Sequence, residues 1–325
     1  MMRAIALTGP TASGKTVLSL GLAESLGCEI ICCDSMQIYR GMDIGTAKAT
    51  KEERERVPHH MLDVISPLSS YSAQNYREDA LAVAKDITKR GKIPLFVGGT
   101  GLYIDTVVRG GAVESPPSNQ ELKERLLSEI RTEEDIDRLH AHLMEIDPES
   151  AERIHKNNVR RVARAIEIYE LTGKTKSYFD KLSRTASPDI RVGMITLDFH
   201  NRDNLYARVD MRVDIMLNMG LLDEVKGLYE IGLLSPTSTA YQAIGYKELV
   251  SVITGECSLD EARELIKLST RRYAKRQLTW FRHETESYRV YVDTDDGIMK
   301  GEGTLLEEVT RAAMEWLGNE KTPKN

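Results

Sequence analysis

The feature that most constrains the fold is the segment at residues 9–16, which reads G-P-T-A-S-G-K-T and follows a short apolar run at residues 3–7. It fits the pattern G-x-x-x-x-G-K-[ST] between a predicted strand and a predicted helix, the context that makes this pattern informative. Glycines let backbone N–H groups close around phosphate oxygens, and the helix N-terminus adds partial positive charge. Lys15 would supply a point charge and Thr16 a hydroxyl ligand for Mg²⁺. The segment therefore predicts a polyphosphate site without identifying the polyphosphate.

The remainder of the chain alternates between short apolar runs and segments with helical spacing. Glycines follow the runs at the predicted strand ends, an alternation typical of a parallel α/β sheet. The predicted fold class is α/β, with a P-loop NTPase-like parallel sheet and a helical insertion. Beyond residues 3–7, strands are predicted at 29–33, 94–97, 190–199 and 288–293, and helices at 15–26, 72–90, from about 100, and at 202–219, 221–231, 239–254, 259–284 and 303–317.

A change of texture near residue 115 predicts the insertion. Pro116 and Pro117 mark a break, and residues 119–182 are charged and helical with little strand signal. We therefore predict a core domain formed by residues 1–114 plus 186–325, and a helical insertion domain at residues 115–185.

Charge is unevenly distributed along the chain, whose formal net charge is −6. Residues 114–152 carry twelve Asp/Glu against four Lys/Arg, whereas residues 153–184 carry nine Lys/Arg against three acids. A second basic stretch at residues 263–289 has eight Lys/Arg against three acids. The acidic total is therefore compatible with local basic surfaces that bind nucleic acid.

Two further segments follow predicted strands. Asp34-Ser35-Met36-Gln37 comes after the second strand, and Gly98-Gly99-Thr100-Gly101 after the third. Ligands of open α/β sheets bind beyond the carboxyl ends of the strands, so both segments are expected beside the phosphate loop. The amide of Gln37 could in principle read an adenine. The competing interpretations are that Asp34 only caps a turn and that residues 98–101 form a plain strand-to-helix turn.

Six further segments form a recognisable set with the phosphate loop. They read D-S-M-Q-I-Y-R-G-M-D-I-G-T-A-K at 34–48, P-H-H at 58–60, G-G-T-G-L-Y at 98–103, R-V-D-M-R-V-D at 208–214, Q-A-I-G-Y-K-E at 242–248 and Y-A-K-R-Q-L-T-W-F-R at 273–282. Together these segments resemble the bacterial tRNA dimethylallyltransferases, and the resemblance extends from residue 3 to about residue 293. The phosphate loop is shared with many nucleotide enzymes, whereas the segments starting at Asp34 and Tyr273 are far more particular.

The resemblance implies transfer of a dimethylallyl group from dimethylallyl diphosphate, with Mg²⁺ as cofactor, to N6 of the adenosine at tRNA position 37, immediately 3′ of the anticodon. It implies that Asp34 is the general base and that Thr100 and Arg208 are catalytic groups near the reacting centre. The implied diphosphate-binding residues are Gly9, Thr11, Ala12, Ser13, Gly14, Lys15 and Thr16, the last also holding the metal. The implied tRNA-binding residues are Asp34, Ser35, Met36, Gln37, Arg160, Arg161, Arg164, Gln242, Gly245 and Lys247.

Three other functions remain open from the sequence: an ATP-dependent small-molecule kinase, a prenyltransferase acting on free adenine nucleotides, and a non-enzymatic RNA-binding module. The first would leave the basic helices and the insertion unexplained, and the second would not need them. The third has no use for a phosphate loop beside a carboxylate.

Cellular context is predicted from what the sequence lacks. No apolar run is long enough to span a membrane, and no signal-peptide pattern is present. The four cysteines form no C-x-x-C pair, so reduced thiols and a cytoplasmic location are expected. A monomer acting on the tRNA anticodon stem-loop, with no membrane partner, is the working expectation. The sequence leaves open the roles of His59 and His60 and the set of tRNAs.

Overall fold

The computed structural model describes residues 2–108, 116–185, 190–284 and 286–318, and within these residues six strands form one parallel sheet. The order of the strands across the sheet is β3-β2-β4-β1-β5-β6, and every neighbouring pair is parallel. The predicted α/β class with a parallel sheet is confirmed. In chain order the strands are β1 (Met2–Thr8), β2 (Cys28–Cys32), β3 (His59–His60), β4 (Ile93–Gly98), β5 (Ile190–Asp198) and β6 (Ser287–Tyr291).

Helices cover both faces of the sheet, which is why its strands are short apolar runs rather than alternating ones. In β1, Ile5 and Leu7 face one buried cluster and Ala4 and Ala6 face the other. The helices are α1 (Lys15–Leu26), α2 (Lys51–Arg56), α3 (Ala73–Lys89), α4 (Gly101–Val108), α5 (Gln120–Ser128), α6 (Glu133–Ile146), α7 (Pro148–Arg153), α8 (Val159–Thr172), α9 (Lys176–Thr185), α10 (Arg202–Asn218), α11 (Leu221–Glu230), α12 (Tyr246–Ile253), α13 (Leu259–Arg282) and α14 (Glu302–Gly318).

The chain divides into two compact units. Residues 2–108, 190–284 and 286–318 form the sheet unit, and residues 116–185 form a helical unit. The predicted domain boundary at 114/115 lies within residues 109–115, and the one at 185/186 adjoins residues 186–189; both of these segments lie outside the described residues. The helical unit contains α5 to α9, and its described residues include no strand. It has its own apolar core, which includes Leu126, Leu143 and Ile166.

The structure differs from the predicted elements in three places. The helix predicted at residues 239–254 begins only at Tyr246, because Ala240 and Ala243 are buried within reverse turns and Gly245 has a φ of +97° at the start of α12. The two-residue strand β3 was not predicted. Nor was α2, because this six-residue helix has no buried face and is stabilised instead by a capping box that starts at Thr50.

Buried residues include three of the four cysteines, and all four are free thiols. Cys32 and Cys33 lie in the core, as predicted. No helix in the described part of the chain has both the length and the apolar character that a membrane crossing requires.

Gly98 ends β4 where that strand passes closest to the segment after β2. A Cβ atom at this position would lie 2.2 Å from the carbonyl oxygen of Cys33. We predict that Gly98→Ala lowers the free energy of unfolding by about 1–3 kcal/mol, the usual cost of overpacking, as measured by urea denaturation.

Gly227→Ala is the control, because Gly227 lies in α11 with no atom within 4 Å of an added Cβ. It should be neutral or stabilising by about 0.5–1 kcal/mol. Equal urea midpoints for the two variants would contradict this packing.

Candidate active site

Three loops converge at the carboxyl edge of the sheet. They follow β1, β2 and β4, which are neighbours in the order β2-β4-β1. They contribute to a cavity of about 610 Å³ within the sheet unit, to which α10, α13 and the turn before α12 also contribute. Of the residues predicted from the sequence, those that line this cavity are Thr11, Ala12, Ser13, Gly14, Lys15, Thr16, Asp34, Ser35, Met36, Gln37, Arg208, Gln242 and Gly245.

The conformation of the phosphate loop depends on its glycines. Gly14, with a φ of +93°, starts α1. Gly9 has a φ of +141°, and a Cβ there would lie 2.8 Å from the carbonyl oxygen of Leu197. Between them Ser13 is only 1% exposed, and its hydroxyl has no hydrogen-bond partner within the described structure. Buried polar groups are nearly always paired, so this hydroxyl is positioned to bond an oxygen of a ligand.

Lys15 is the positively charged side chain of the phosphate loop itself. Its Nζ donates to the carbonyl oxygens of Gly9 at 3.0 Å and Pro10 at 2.7 Å. Burial, followed by the nearby Arg212 guanidinium, lowers the pKa of Lys15 to about 7, and Asp34 opposes part of this shift. An anion bound here would stabilise the protonated amine and raise its pKa.

Two arginines on α10 add further positive charge. Arg208 donates from Nε to the carbonyl oxygen of Ala12 at 2.7 Å, which fixes the guanidinium beside the phosphate loop. Arg212 lies one helical turn further on and also lines the cavity. Burial lowers the pKa of both arginines. The sequence analysis named Arg208 and missed Arg212, although their i, i+4 spacing places them on one helix face.

Asp34 supplies the carboxylate of the cavity. Its Oδ1 accepts hydrogen bonds from the backbone N–H groups of Met36 at 2.8 Å and Gln37 at 3.4 Å. Its Oδ2 has no hydrogen-bond partner among the residues that the structure describes. Asp34 therefore does cap the turn that follows it, and one carboxylate oxygen is still left for a ligand.

Thr100 and Gln277 connect the three loops. Thr100 accepts a hydrogen bond from the N–H of Ser35 at 3.1 Å, and its own N–H donates to the carbonyl of Cys33 at 3.2 Å. Gln277 on α13 accepts from the N–H of Thr11 at 2.8 Å and donates to the carbonyl of Gly99 at 2.9 Å. Sequence reasoning did not single out Gln277.

Gln37, predicted as an adenine reader, has protein partners at both ends of its amide. Its Nε2 donates to the carbonyl oxygens of Thr46 at 2.9 Å and Ala47 at 3.3 Å, and its Oε1 accepts from the thiol of Cys32 at 3.0 Å. Gln37 could pair with a base only by exchanging some of these bonds. Its role in base recognition stays a prediction.

The other predicted tRNA-binding residues occupy different surroundings. Gln242 is exposed and Gly245 is buried. Lys247 is half-exposed and does not line the cavity, and its Nζ lies 3.9 Å from Oε1 of Glu248. In the helical unit, the exposed side chains of Arg160 and Arg161 have no hydrogen bond or ion pair with any described residue.

Arg164 shares their helix but has internal partners. Its guanidinium donates to the carbonyls of Pro116 and Pro117, both at 2.9 Å, and pairs with the buried Glu167 at 2.8 Å. These contacts hold the segment that leads into α5 against α8. Arg160 and Arg161 are therefore more accessible to a phosphate backbone than Arg164.

The two histidines whose roles the sequence left open have structural partners. Nδ1 of His59 lies 2.7 Å from the carbonyl of Val57, and Nε2 of His60 lies 2.8 Å from Oε2 of Glu29. Within the described ranges, no three His, Cys, Asp or Glu side chains are grouped as a metal site.

Comparison with known proteins identifies the family. The model of the family described as IPP transferase matches residues 37–284, and the model described as isopentenyl transferase matches residues 2–70. The chain belongs to the IPP transferase family. The tRNA dimethylallyltransferase of Thermoanaerobacter sp. (strain X514) is 45% identical over 279 residues, which cover 86% of this chain and 88% of that protein.

Two solved structures of the family are similar in fold. The full-length tRNA isopentenylpyrophosphate transferase from Bacillus halodurans has a TM-score of 0.70 and 37% identity, covering 98% of this chain and 97% of that one. A eukaryotic dimethylallyltransferase acting on tRNA has a TM-score of 0.81 and 28% identity, covering 100% of this chain and 82% of that one. The matches to the two family models, IPP transferase and isopentenyl transferase, together include all three loops of the cavity.

The lowered pKa of Lys15 leads to a pH-dependent affinity for anions. In the free protein Lys15 loses its charge as the pH rises through about 7. A bound diphosphate favours the charged amine, so binding above that pH must take up a proton and should weaken by up to about tenfold per pH unit. Calorimetric titration with inorganic diphosphate, repeated from pH 6 to 9, measures this effect.

Lys15→Arg is the matched control because its guanidinium stays charged over this range. The dissociation constant of the native chain divided by that of the variant should rise above pH 7. A ratio that stays constant from pH 6 to 9 would show that Lys15 does not titrate there.

Proposed function

We propose that this chain is a tRNA dimethylallyltransferase, which moves the dimethylallyl group of dimethylallyl diphosphate to N6 of adenosine 37, next to the anticodon. Its relatives bear this name at 45% identity over most of both chains. The observation that carries the proposal is one cavity lined by the phosphate loop, by the cationic side chains of Lys15, Arg208 and Arg212, and by the Asp34 carboxylate. A phosphate loop alone would fit many enzymes of nucleotides.

The proposed reaction forms a bond between N6 of adenine and C1 of the donor, and breaks the bond between C1 and the diphosphate oxygen. The adenine amine is a weak nucleophile because its lone pair is delocalised into the ring. Oδ2 of Asp34, free of protein partners, is the atom that would accept the amine proton. The diphosphate leaves with its electron pair and develops charge, which Lys15, Arg208 and Arg212 would stabilise.

Mg²⁺ is proposed to accompany the diphosphate. The donor set fits this ion, because Thr16 supplies a hydroxyl in the first turn of α1 and lines the cavity. Magnesium commonly takes few protein ligands and completes its shell with phosphate oxygens and water. When bound, it would neutralise part of the charge on the departing diphosphate.

The helical unit is proposed to bind the anticodon stem of tRNA. Arg160 and Arg161 support this role because both guanidinium groups are exposed and unpaired within the described structure. Phosphate contacts by such side chains position a nucleic acid without reading its sequence.

We further propose that the protein acts in the cytoplasm and that it acts as a monomer.

The activity is tested by incubating the purified chain with Mg²⁺, labelled dimethylallyl diphosphate and unmodified tRNA, beside parallel reactions with AMP and with ATP. Label should enter tRNA, and Asp34→Asn should lower kcat by about 10²–10⁴-fold through loss of the base. Asp203→Asn is the control, because Asp203 is exposed in the first turn of α10, the helix that carries Arg208, and lies outside the cavity. Label in AMP alone would favour prenyl transfer to free nucleotides, and ATP hydrolysis without transfer would favour a kinase.

The role of the helical unit is tested by the double substitution Arg160→Ala and Arg161→Ala. Loss of two phosphate contacts should raise the KM for tRNA and reduce the salt dependence of tRNA binding by about two units in the log–log slope. The KM for the diphosphate donor should not change. Lys89→Ala serves as a control, because this exposed lysine of the sheet unit ends α3 shortly before β4 begins and lies outside the cavity. An unchanged salt slope in the double variant would exclude these two arginines from the interface.

A further inference from the structure

The loop at residues 43–47 has a support that the proposed chemistry does not use. Glu224, in the first turn of α11, accepts hydrogen bonds from three consecutive backbone N–H groups. Its Oε2 lies 2.9 Å from the nitrogen of Asp43 and 2.7 Å from that of Ile44, and its Oε1 lies 3.1 Å from that of Gly45. A single carboxylate thus holds three consecutive N–H groups at the entry to this loop, where the buried Lys48 ammonium also pairs with the Asp43 carboxylate at 2.6 Å.

Tyr246 completes the support from α12. Its hydroxyl donates to Oε1 of Glu224 at 2.6 Å, and its side chain is fully buried. The loop lies directly against the phenol ring, because a Cβ on Gly45 would come within 2.5 Å of the Tyr246 Cε2 atom. Glu224 therefore receives four hydrogen bonds, and charge-assisted bonds of this kind are among the stronger ones in proteins.

The other end of the same loop, at residues 46 and 47, contacts Gln37, which lines the cavity. The carbonyl oxygens of Thr46 and Ala47 accept both hydrogen bonds from Nε2 of Gln37. Gln37 also donates from its backbone to Oδ1 of Asp34 at 3.4 Å. Hydrogen bonds at both ends of the loop thus connect Glu224, through the loop backbone, to Gln37, and Gln37 in turn bonds to the Asp34 carboxylate of the cavity.

We propose that Glu224 is a positioning residue for the acceptor base. It fixes the loop at residues 43–47, and this loop in turn fixes Gln37 and the acceptor side of the cavity. The inference rests on the proposed transfer to an adenosine of tRNA. It goes beyond that transfer because Glu224 lies outside the cavity lining.

The donor side of the cavity has a different support. The phosphate loop is held by Gln277 and Arg208, which bond to the backbone of Thr11 and Ala12. Neither residue bonds to the loop at residues 43–47. Loss of the Glu224 support should therefore weaken acceptor binding and leave donor binding intact, which a general loss of stability would not do.

The decisive variant is Glu224→Gln. The glutamine has nearly the same shape, but its NH₂ group would face backbone N–H donors at one of the two carboxylate positions. With an anticodon stem-loop RNA carrying adenosine 37, the KM for RNA should rise about tenfold, while the KM for dimethylallyl diphosphate and the kcat at saturating RNA stay within about twofold. Tyr246→Phe, which removes one of the four hydrogen bonds, should shift the RNA KM in the same direction and by less.

Asp223→Asn is the matched control, since Asp223 is the exposed neighbour of Glu224 on the same helix and has no hydrogen bond or ion pair with any described residue. It should leave both KM values unchanged. Unchanged RNA KM in Glu224→Gln, or an equal rise in both KM values, would overturn the positioning role. Absence of any transfer by the native chain would instead overturn the proposed function.

Discussion

The side-chain amide of Gln277 is the contact on which the geometry of the donor side depends. Gln277 is only 6% exposed, and its two polar ends bond to the N–H of Thr11 and the carbonyl of Gly99. It thereby fixes the separation between the phosphate loop and the turn after β4. A buried amide with only one bond made would be costly, so the two contacts are coupled. A Cβ at Gly99 would lie 2.2 Å from Nε2 of Gln277, so any larger residue there would displace this amide from its two bonds.

Electrostatics opposes this arrangement when no anion is bound. Lys15, Arg208 and Arg212 lie together in a partly buried site that faces only one carboxylate of the cavity, Asp34. Burial is the first cause of all three lowered pKa values, and the nearby Arg212 guanidinium lowers the pKa of Lys15 further. A diphosphate would relieve both effects at once. The stability given up in building the site is therefore recovered when the ligand binds, a common property of preorganised anion sites.

How much the sequence could predict depends on how local each signal is. The phosphate loop, the strand ends and the helical character of residues 119–182 all depend on neighbouring residues, and all could be predicted. Gln277 could not, because helical spacing identifies the buried face of α13, shared with Ala274 and Leu278, but not the loop that a polar residue on that face will contact. Nor could the hydrogen bonds from Arg164 to the carbonyls of Pro116 and Pro117, which lie more than forty residues away, although its ion pair with Glu167 is local.

Under the proposed mechanism Asp34 both holds a turn and takes a proton, and its two oxygens divide these tasks. Oδ1 accepts the backbone N–H groups of Met36 and Gln37, whereas Oδ2 is free of protein partners among the described residues. A carboxylic acid protonated on Oδ2 keeps an acceptor oxygen at Oδ1. Under the proposed mechanism, the turn that carries Gln37 can therefore keep its hydrogen bonds while the proton is transferred. A general base at Asp34 would thus change its charge without moving the segment that is proposed to position the adenine.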